Sequence, residues 1–447
     1  MPDGGTPPVN IRKPIGPEEK EMLTFEENEL LTRVTGDAPM AKLMRQHWTP
    51  VCLIEEVAEP DCKPLRVEVL GESYVAFRDS KGRLGMLDEL CPHRKASLVY
   101  GRNEDCGLRC LYHGWKMDVD GNVVAMSSEP EGSPLMDKVK ARSYPVREWG
   151  GFVWAWLGEK EDMPEFQPPA FAPEEDTPVA ILKIRVPANW AQIHEGQIDS
   201  AHSSSLHSST MKPAKVDSAA SDDKSWYRPS TDKSPRMQTE TTSYGFHYAA
   251  IRKPIKNAKT HHYLRITEFV APYYSLIPPN NNYKVASVIV PINDDETAFH
   301  FVAWGGPNVP STEEWRAFNH AVPGKDVDHK WRTRNTLEND FNQDRDRMAE
   351  GHFTGVDGIP NEDIIMWVSM GSRVQRHTDT LGASDLAIVE FRRLMVDAAQ
   401  KVAEGGKAIG TESDIPQAQI ASHEGVYPKD VDWRTLVATG KAAEAAE

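Results

Sequence analysis

Cysteine is scarce in this chain. Five occur in 447 residues, at Cys52, Cys62, Cys91, Cys106 and Cys110, and so odd and sparse a set excludes a disulfide framework. Positive charge is in deficit as well. Against 67 Asp and Glu there are 51 Lys and Arg, a formal charge of −16, which makes a poor nucleic-acid binder. No apolar run approaches membrane-spanning length, and the opening MPDGGTPPVNIRKPIGPEEKEM lacks the apolar core of a signal peptide. The chain reads as soluble and cytoplasmic. No Gly-rich strand-to-helix fingerprint for a dinucleotide is visible, so the chain does not take hydride from NADH or NADPH by itself. There is no C-x-x-C and no internal repeat.

What is present is concentrated in two loops. Cys91-Pro-His93-Arg94 and Cys110-Leu-Tyr-His113-Gly-Trp115 each carry one thiol and one imidazole. Zinc ribbons usually pair like with like. One Cys and one His per loop instead suits a [2Fe–2S] cluster with two Cys on one iron and two His on the other, a Rieske centre. Cys91, His93, Cys110 and His113 are the predicted cluster ligands, and the chain is expected to handle electrons one at a time.

A second constellation follows at Asn189-Trp190, Glu195, Asp199, His202 and His207. Helical spacing places Glu195, Asp199 and His202 on one face. His207 lies five residues beyond His202, about 140° off that face, so both imidazoles reach one ion only if the helix ends or distorts between them. Ser203, Ser204 and Ser205 favour such a break. Two His with a carboxylate that orients one of them resemble a metal site. A further, distant carboxylate would complete the two-His, one-carboxylate triad of non-haem Fe(II) oxygenases.

The expected organisation is a lead-in and short helix over 1–45, an all-β cluster domain over 46–160, an acidic Pro-rich linker over 161–178, a larger α+β domain over 179–403 and a polar tail over 404–447. Strands are predicted at Leu65–Leu70, Tyr74–Arg78 and Leu84–Leu87, and one more over Arg147–Leu157. Helices are predicted over 189–201, 331–349 and 384–403.

Together these motifs resemble the catalytic subunits of Rieske non-haem iron oxygenases, most of all the phthalate dioxygenase group. The resemblance runs over roughly 40–400 and includes Tyr244-Gly-Phe-His-Tyr-Ala-Ala-Ile-Arg252, Ser369-Met-Gly371, Leu381-Gly-Ala-Ser-Asp385 and Phe391-Arg-Arg-Leu394. It implies an α+β fold: an N-terminal all-β Rieske domain and a C-terminal helix-grip-like antiparallel sheet with helices that hold a mononuclear iron. It implies His202 and His207 as iron ligands with a third from a late helix. The Asp-Arg word there points to Asp344 over Asp346 and over Asp340, the runner-up. It also implies a homotrimer or stacked trimers, in which Asp199 links the cluster of one subunit to the iron of the next. The chain departs from the family at Gln375-Arg376-His377-Thr-Asp379, where a difference in subunit contacts or pocket walls is expected.

The expected activity is O2-dependent hydroxylation or dihydroxylation of an aromatic carboxylate, with electrons from a separate NAD(P)H-dependent reductase. Oxidative demethylation of a methoxylated aromatic acid is the alternative, and a pure electron carrier a third reading. A carboxylate substrate calls for arginine. The candidates are Arg228, Arg252 and Arg265, for each of which a structural ion pair is equally open.

Overall fold

The computed structural model describes residues 23–215, 226–278, 283–306, 308–412, 414 and 416–437; the Pro-rich lead-in lies outside them. Two helices open the described chain, Phe25–Thr32 and Pro39–Met44, where the sequence suggests one. Thr24 and Glu27 form a capping box at the first. The break between them contains Gly36 in the left-handed region and ends at Pro39, which starts the second.

Three small antiparallel sheets make the N-terminal β unit. One joins Trp48–Leu53, Phe152–Trp156 and Val146–Trp149; the second is a meander of Leu65–Val69, Glu72–Arg78 and Leu84–Asp88; the third has four short strands between Arg102 and Met126. The single strand expected over Arg147–Leu157 is a hairpin. Gly150 and Gly151, with φ of 56° and 82°, make its two-residue turn. Side chains there would also collide: an added Cβ would lie 2.6 Å from Ala172 Cβ and 2.5 Å from Ile181 Cδ1. The segment after it is no free linker. Ala170, Phe171 and Ala172 are buried, and Phe171 packs on Phe152 and Trp154.

The second unit is an eight-stranded antiparallel sheet. In chain order its strands are β1 (Val179–Val186), β2 (Arg236–Thr241), β3 (Gly245–Arg252), β4 (His261–Val270), β5 (Tyr274–Ile277), β6 (Lys284–Pro291), β7 (Thr297–Trp304) and β8 (His423–Pro428). They lie in the order β1-β7-β6-β5-β4-β3-β2, with β8 pairing along β4 beyond the end of β5. Among the helices that pack around it are α1 (Trp190–Ile198), α2 (Ile359–Ser369) and α3 (Leu386–Ala403). One hydrophobic core runs through both units. Lys183 on β1 reaches across to Glu56 at 2.7 Å, and Arg185 to Glu68 at 2.8 Å. Among the described residues no helix is long and apolar enough to cross a membrane.

Two sequence expectations change here. The helix over 331–349 is replaced by an irregular turn at Leu337–Asn342 and a short helix at Arg345–Ala349. Asn339 explains it: its side chain accepts from Thr336 N and donates to Arg334 O, and Asp340, Phe341 and Asn342 are left-handed. The tail is also part of the fold. Besides supplying β8, it lays Trp433 and Val437 over Ala249, Ile251, Leu264 and Ile266 on the outer face of β3 and β4. Trp433 is buried and donates to Gln238 at 2.8 Å. Trp433→Ala should therefore cost about 3–5 kcal/mol of stability. A denaturation midpoint equal to that of the unchanged protein would show the tail to be dispensable.

Candidate active site

The cluster loops are built alike. Cys91 N donates to Ala96 O and Lys95 N to Cys91 O; Cys110 N donates to Trp115 O and Gly114 N to Cys110 O. The fourth residue after each Cys is left-handed, Lys95 at φ 60° and Gly114 at φ 71°. Each turn thus sets a buried thiol beside a half-buried imidazole. The His93 and His113 rings lie 4.5 Å apart, and Trp115 stacks on His93 at 4.4 Å. Burial, with Cys110 beside it, pushes the Cys91 thiol up to about 11 against the pull of the His93 and Arg94 amides. A buried thiol held up in this way needs a cation beside it to ionise. No three of these four residues bring their donor atoms within 4.8 Å of one another, as a single ion would require. Two thiols and two imidazoles spread wider than one ion fit a two-iron cluster.

The second site begins where α1 ends. Asn189 caps its start by accepting from Ala191 N, and the helix stops at Ile198 rather than 201. Asp199 turns out of the helix and accepts from Ala201 N at 2.7 Å; a short turn at His202–Ser204 follows. The break brings the imidazoles together, with His202 Nε2 and His207 Nε2 3.2 Å apart. Asp199 Oδ2 lies 3.4 Å from His202 Nδ1, and its attraction to His202 outweighs burial and holds the Asp199 carboxyl below its usual range.

The third donor is Asp363, and it replaces Asp344. His202, His207 and Asp363 are the group of metal-binding side chains that the described residues bring within 4.8 Å. Asp363 Oδ1 is 3.1 Å from His207 Nε2 and 3.5 Å from His202 Nε2. Asp344 instead accepts from Arg347 N as an exposed helix cap. Asp340 lies in the irregular turn and Asp346 in the short helix after it, and neither is in the group. A signal for Asp363 was there: Gly358-Ile-Pro starts a helix, and two adjacent acids then enter the apolar run Ile364-Ile-Met-Trp367.

Outer partners fix each donor. Glu362 Oε2 accepts from His207 Nδ1 at 2.7 Å, and Thr354 donates to its other oxygen at 2.6 Å. Gln197 donates to Asp363 Oδ2 at 3.3 Å and accepts from Ser287. Such partners set the tautomer and direction of metal ligands. Two imidazoles on one side with a carboxylate facing them suit a mononuclear Fe(II) that keeps positions open. Glu195, predicted on the ligand face, points away: Arg376 and Arg392 hold it at 2.7 and 2.8 Å. The segment that departs from the family pattern thus anchors the back of α1.

A cavity adjoins the three donors. Trp226, Ile277, Val285 and Phe301 give it apolar walls, and Arg228 and Arg265 enter it. Strand alternation explains the second. Arg265 shares the inner face of β4 with Tyr263 and Thr267, while Leu264 and Ile266 face the tail. Arg228 donates to Ser203 at 2.8 Å and Ser204 at 3.2 Å, in the turn between the two His. Burial, with Arg265 nearby, pulls Arg228 down to about 9. Arg252 stays behind the wall and holds Ser200 O at 2.6 Å. Neither Arg228 nor Arg252 has a carboxylate at ion-pair distance among the described residues.

Comparison with known proteins agrees with both halves. Residues 47–145 match the Rieske [2Fe-2S] domain family, and residues 155–447 the family described as LigXa C-terminal domain like. The chain is 58% identical to the phthalate 4,5-dioxygenase oxygenase subunit of Pseudomonas putida, over 92% of this chain and 94% of that one. It is 31% identical to the 3-chlorobenzoate-3,4-dioxygenase oxygenase subunit of Comamonas testosteroni, over 93% and 98%. Among solved structures, NdmB of Pseudomonas putida CBB5 shares the fold with a TM-score of 0.58 at 16% identity, over 86% of this chain and 97% of that one.

The donor assignment has a direct test. Asp363→Ala should lose one iron per chain while the visible absorption of the cluster persists, whereas Asp344→Ala should keep full iron. The reverse pattern would restore Asp344 as the ligand.

Proposed function

The chain belongs to the Rieske non-haem iron oxygenases as a catalytic subunit, and from that premise we propose that it dihydroxylates an aromatic dicarboxylate of the phthalate type. The observation that carries this reading is the pair of buried guanidinium groups, Arg228 and Arg265, opening into the cavity that the His202, His207 and Asp363 donors border. A guanidinium in an apolar wall is costly unless an anion meets it. Each arginine can take one carboxylate through charge-assisted hydrogen bonds, which would hold the ring flat against Trp226 and Phe301 with its far edge toward the donors. The name of the Pseudomonas putida relative accords with this substrate class.

Iron and cluster, when bound, supply O2 activation and single electrons respectively. The residues of this chain supply geometry. Holding the substrate beside the donors converts a collision into a bound encounter. Glu362 and Gln197 keep the donors aimed, and the apolar wall keeps bulk water from the ring.

Electrons reach the cluster from a separate reductase, the partner that an oxygenase subunit implies. We read the onward route as running between subunits of a trimer. The two cluster histidines are half-exposed, and exposed Leu90, Tyr100, Leu111 and Tyr112 lie in or beside the cluster loops. Asp199 is half-exposed on the far site, with Phe353, Met366 and Met370 exposed in its domain. These exposed groups support the reading in which Asp199 accepts from a cluster imidazole of another copy.

Turnover of phthalate with NADH and a surrogate reductase should give a cis-dihydrodiol with oxygen uptake matched to product. Formaldehyde from methoxybenzoates, with phthalate untouched, would favour demethylation instead. Arg228→Gln and Arg265→Gln should each weaken phthalate binding by about 2–3 kcal/mol, roughly 30- to 150-fold. Dissociation constants that do not change would remove both arginines from the site.

A further inference from the structure

Glu424 comes from β8, in the part of the chain whose composition reads as a polar tail. The ladder places it directly opposite Arg265, on the inner face of the sheet. Its carboxylate is buried, with Oε2 3.4 Å from Arg265 Nη1 and no hydrogen-bond partner for Oε1. The contact is an ion pair of poor geometry, held in a place where both groups are costly to bury.

The groups facing Glu424 come from every neighbouring strand: Arg265 and Tyr263 on β4, Arg252 on β3, and Arg228 on the short strand Trp226–Arg228. On its own strand His423 pairs with Tyr427 and lies on the alternate face. Three guanidinium groups thus surround one carboxylate.

We propose that Glu424 is the resident counter-ion of the substrate pocket: it pairs with Arg265 until a substrate carboxylate takes that guanidinium, and it then accepts a proton from solvent. This rests on the carboxylate-pocket reading of Arg228 and Arg265. Glu424 is a positioning residue that sets specificity through Arg265. A dianion displaces it and carries in one proton. A monocarboxylate that engages Arg228 alone leaves the Arg265–Glu424 pair in place and carries none. Burial already raises Glu424 to about 7 against the pull of Arg265, so the loss of Arg265 raises it further and the proton is taken up near neutral pH. The sign follows by linkage. Phthalate affinity is full below that value and falls by about tenfold per pH unit above it, until the bound-state value is passed.

Isothermal titration of the iron-loaded protein with phthalate at pH 8, in two buffers of different ionisation enthalpy, counts the protons. Proton uptake approaching one per site is expected. Glu424→Gln should take up none and should bind phthalate with a flat pH profile above 7. Benzoate should take up none with either protein. Iron content and cluster absorption equal to those of the parent show that the variant is folded. Equal uptake in both proteins, or none in the parent while phthalate binds, overturns the proposal. Failure of phthalate to bind the parent at all overturns the pocket reading beneath it.

Discussion

The iron site depends on where α1 stops and on what keeps the helix from rotating. Glu195 sits one turn before that stop, and its carboxylate is shared by Arg376 and Arg392 at 2.7 and 2.8 Å, with Asp379 closing the network onto Arg392 at 2.6 Å. Two acids and two bases cancel, so the network is neutral and can be buried. Removing Glu195 alone would strand two guanidinium groups, a loss of about 3–5 kcal/mol. With the back of α1 held in this way, Asp199, His202 and His207 turn off its end toward α2. Gln192 adds a second tether by donating to Trp367 O on α2, so the helix carrying Asp363 and the turn carrying the imidazoles move as one body.

The cavity beside that body has the opposite electrostatic character. The α1 network cancels its charges internally. Around the cavity Arg228, Arg252 and Arg265 are buried, with Glu424 beside Arg265. Burial without full pairing lowers stability, and a fold tolerates it where an anion is to be bound. Arg252 spends its charge on Ser200, and so braces the turn that presents Asp199. That leaves Arg228 and Arg265 as the arginines that line the cavity. The division of labour among three arginines depends on strand parity and on hydroxyl partners, which a one-dimensional pattern does not show.

How much was legible tracks how local each feature is. The Rieske domain was legible because the four predicted donors lie within two short turns, each a Cys and a His closed by a left-handed residue, Lys95 or Gly114. His202 and His207 were legible for the same reason, and the serines between them signalled the break. Asp363 was not. It is brought in by α2 packing on α1, and an Asp-Arg pair at Asp344 offered a more familiar local pattern. Asp344 caps a helix, a use of Asp that local sequence favours as readily as metal binding. The helix expected over 331–349 failed because Asn and Asp side chains outbid the helix for backbone groups. The strand His423–Pro428 was hidden by its composition: His, Glu, Gly, Val, Tyr and Pro look like tail until Glu424 finds Arg265 and Val426 finds β4.

That strand ties the two halves of the argument together. Its residues and those just after it meet β3 and β4 from both sides: Glu424 enters the inner face beside the arginines, and Trp433 covers Leu264 and Ile266 outside. The outer contact is apolar and holds the strand in register. The inner contact is polar and depends on that register, because a slip of one residue would turn Glu424 outward and bring His423 or Gly425 into its place. Hydrophobic packing behind the sheet therefore sets the charge in front of it. On the proposed reading of the pocket, its specificity rests as much on Trp433 behind the sheet as on the arginines in front of it.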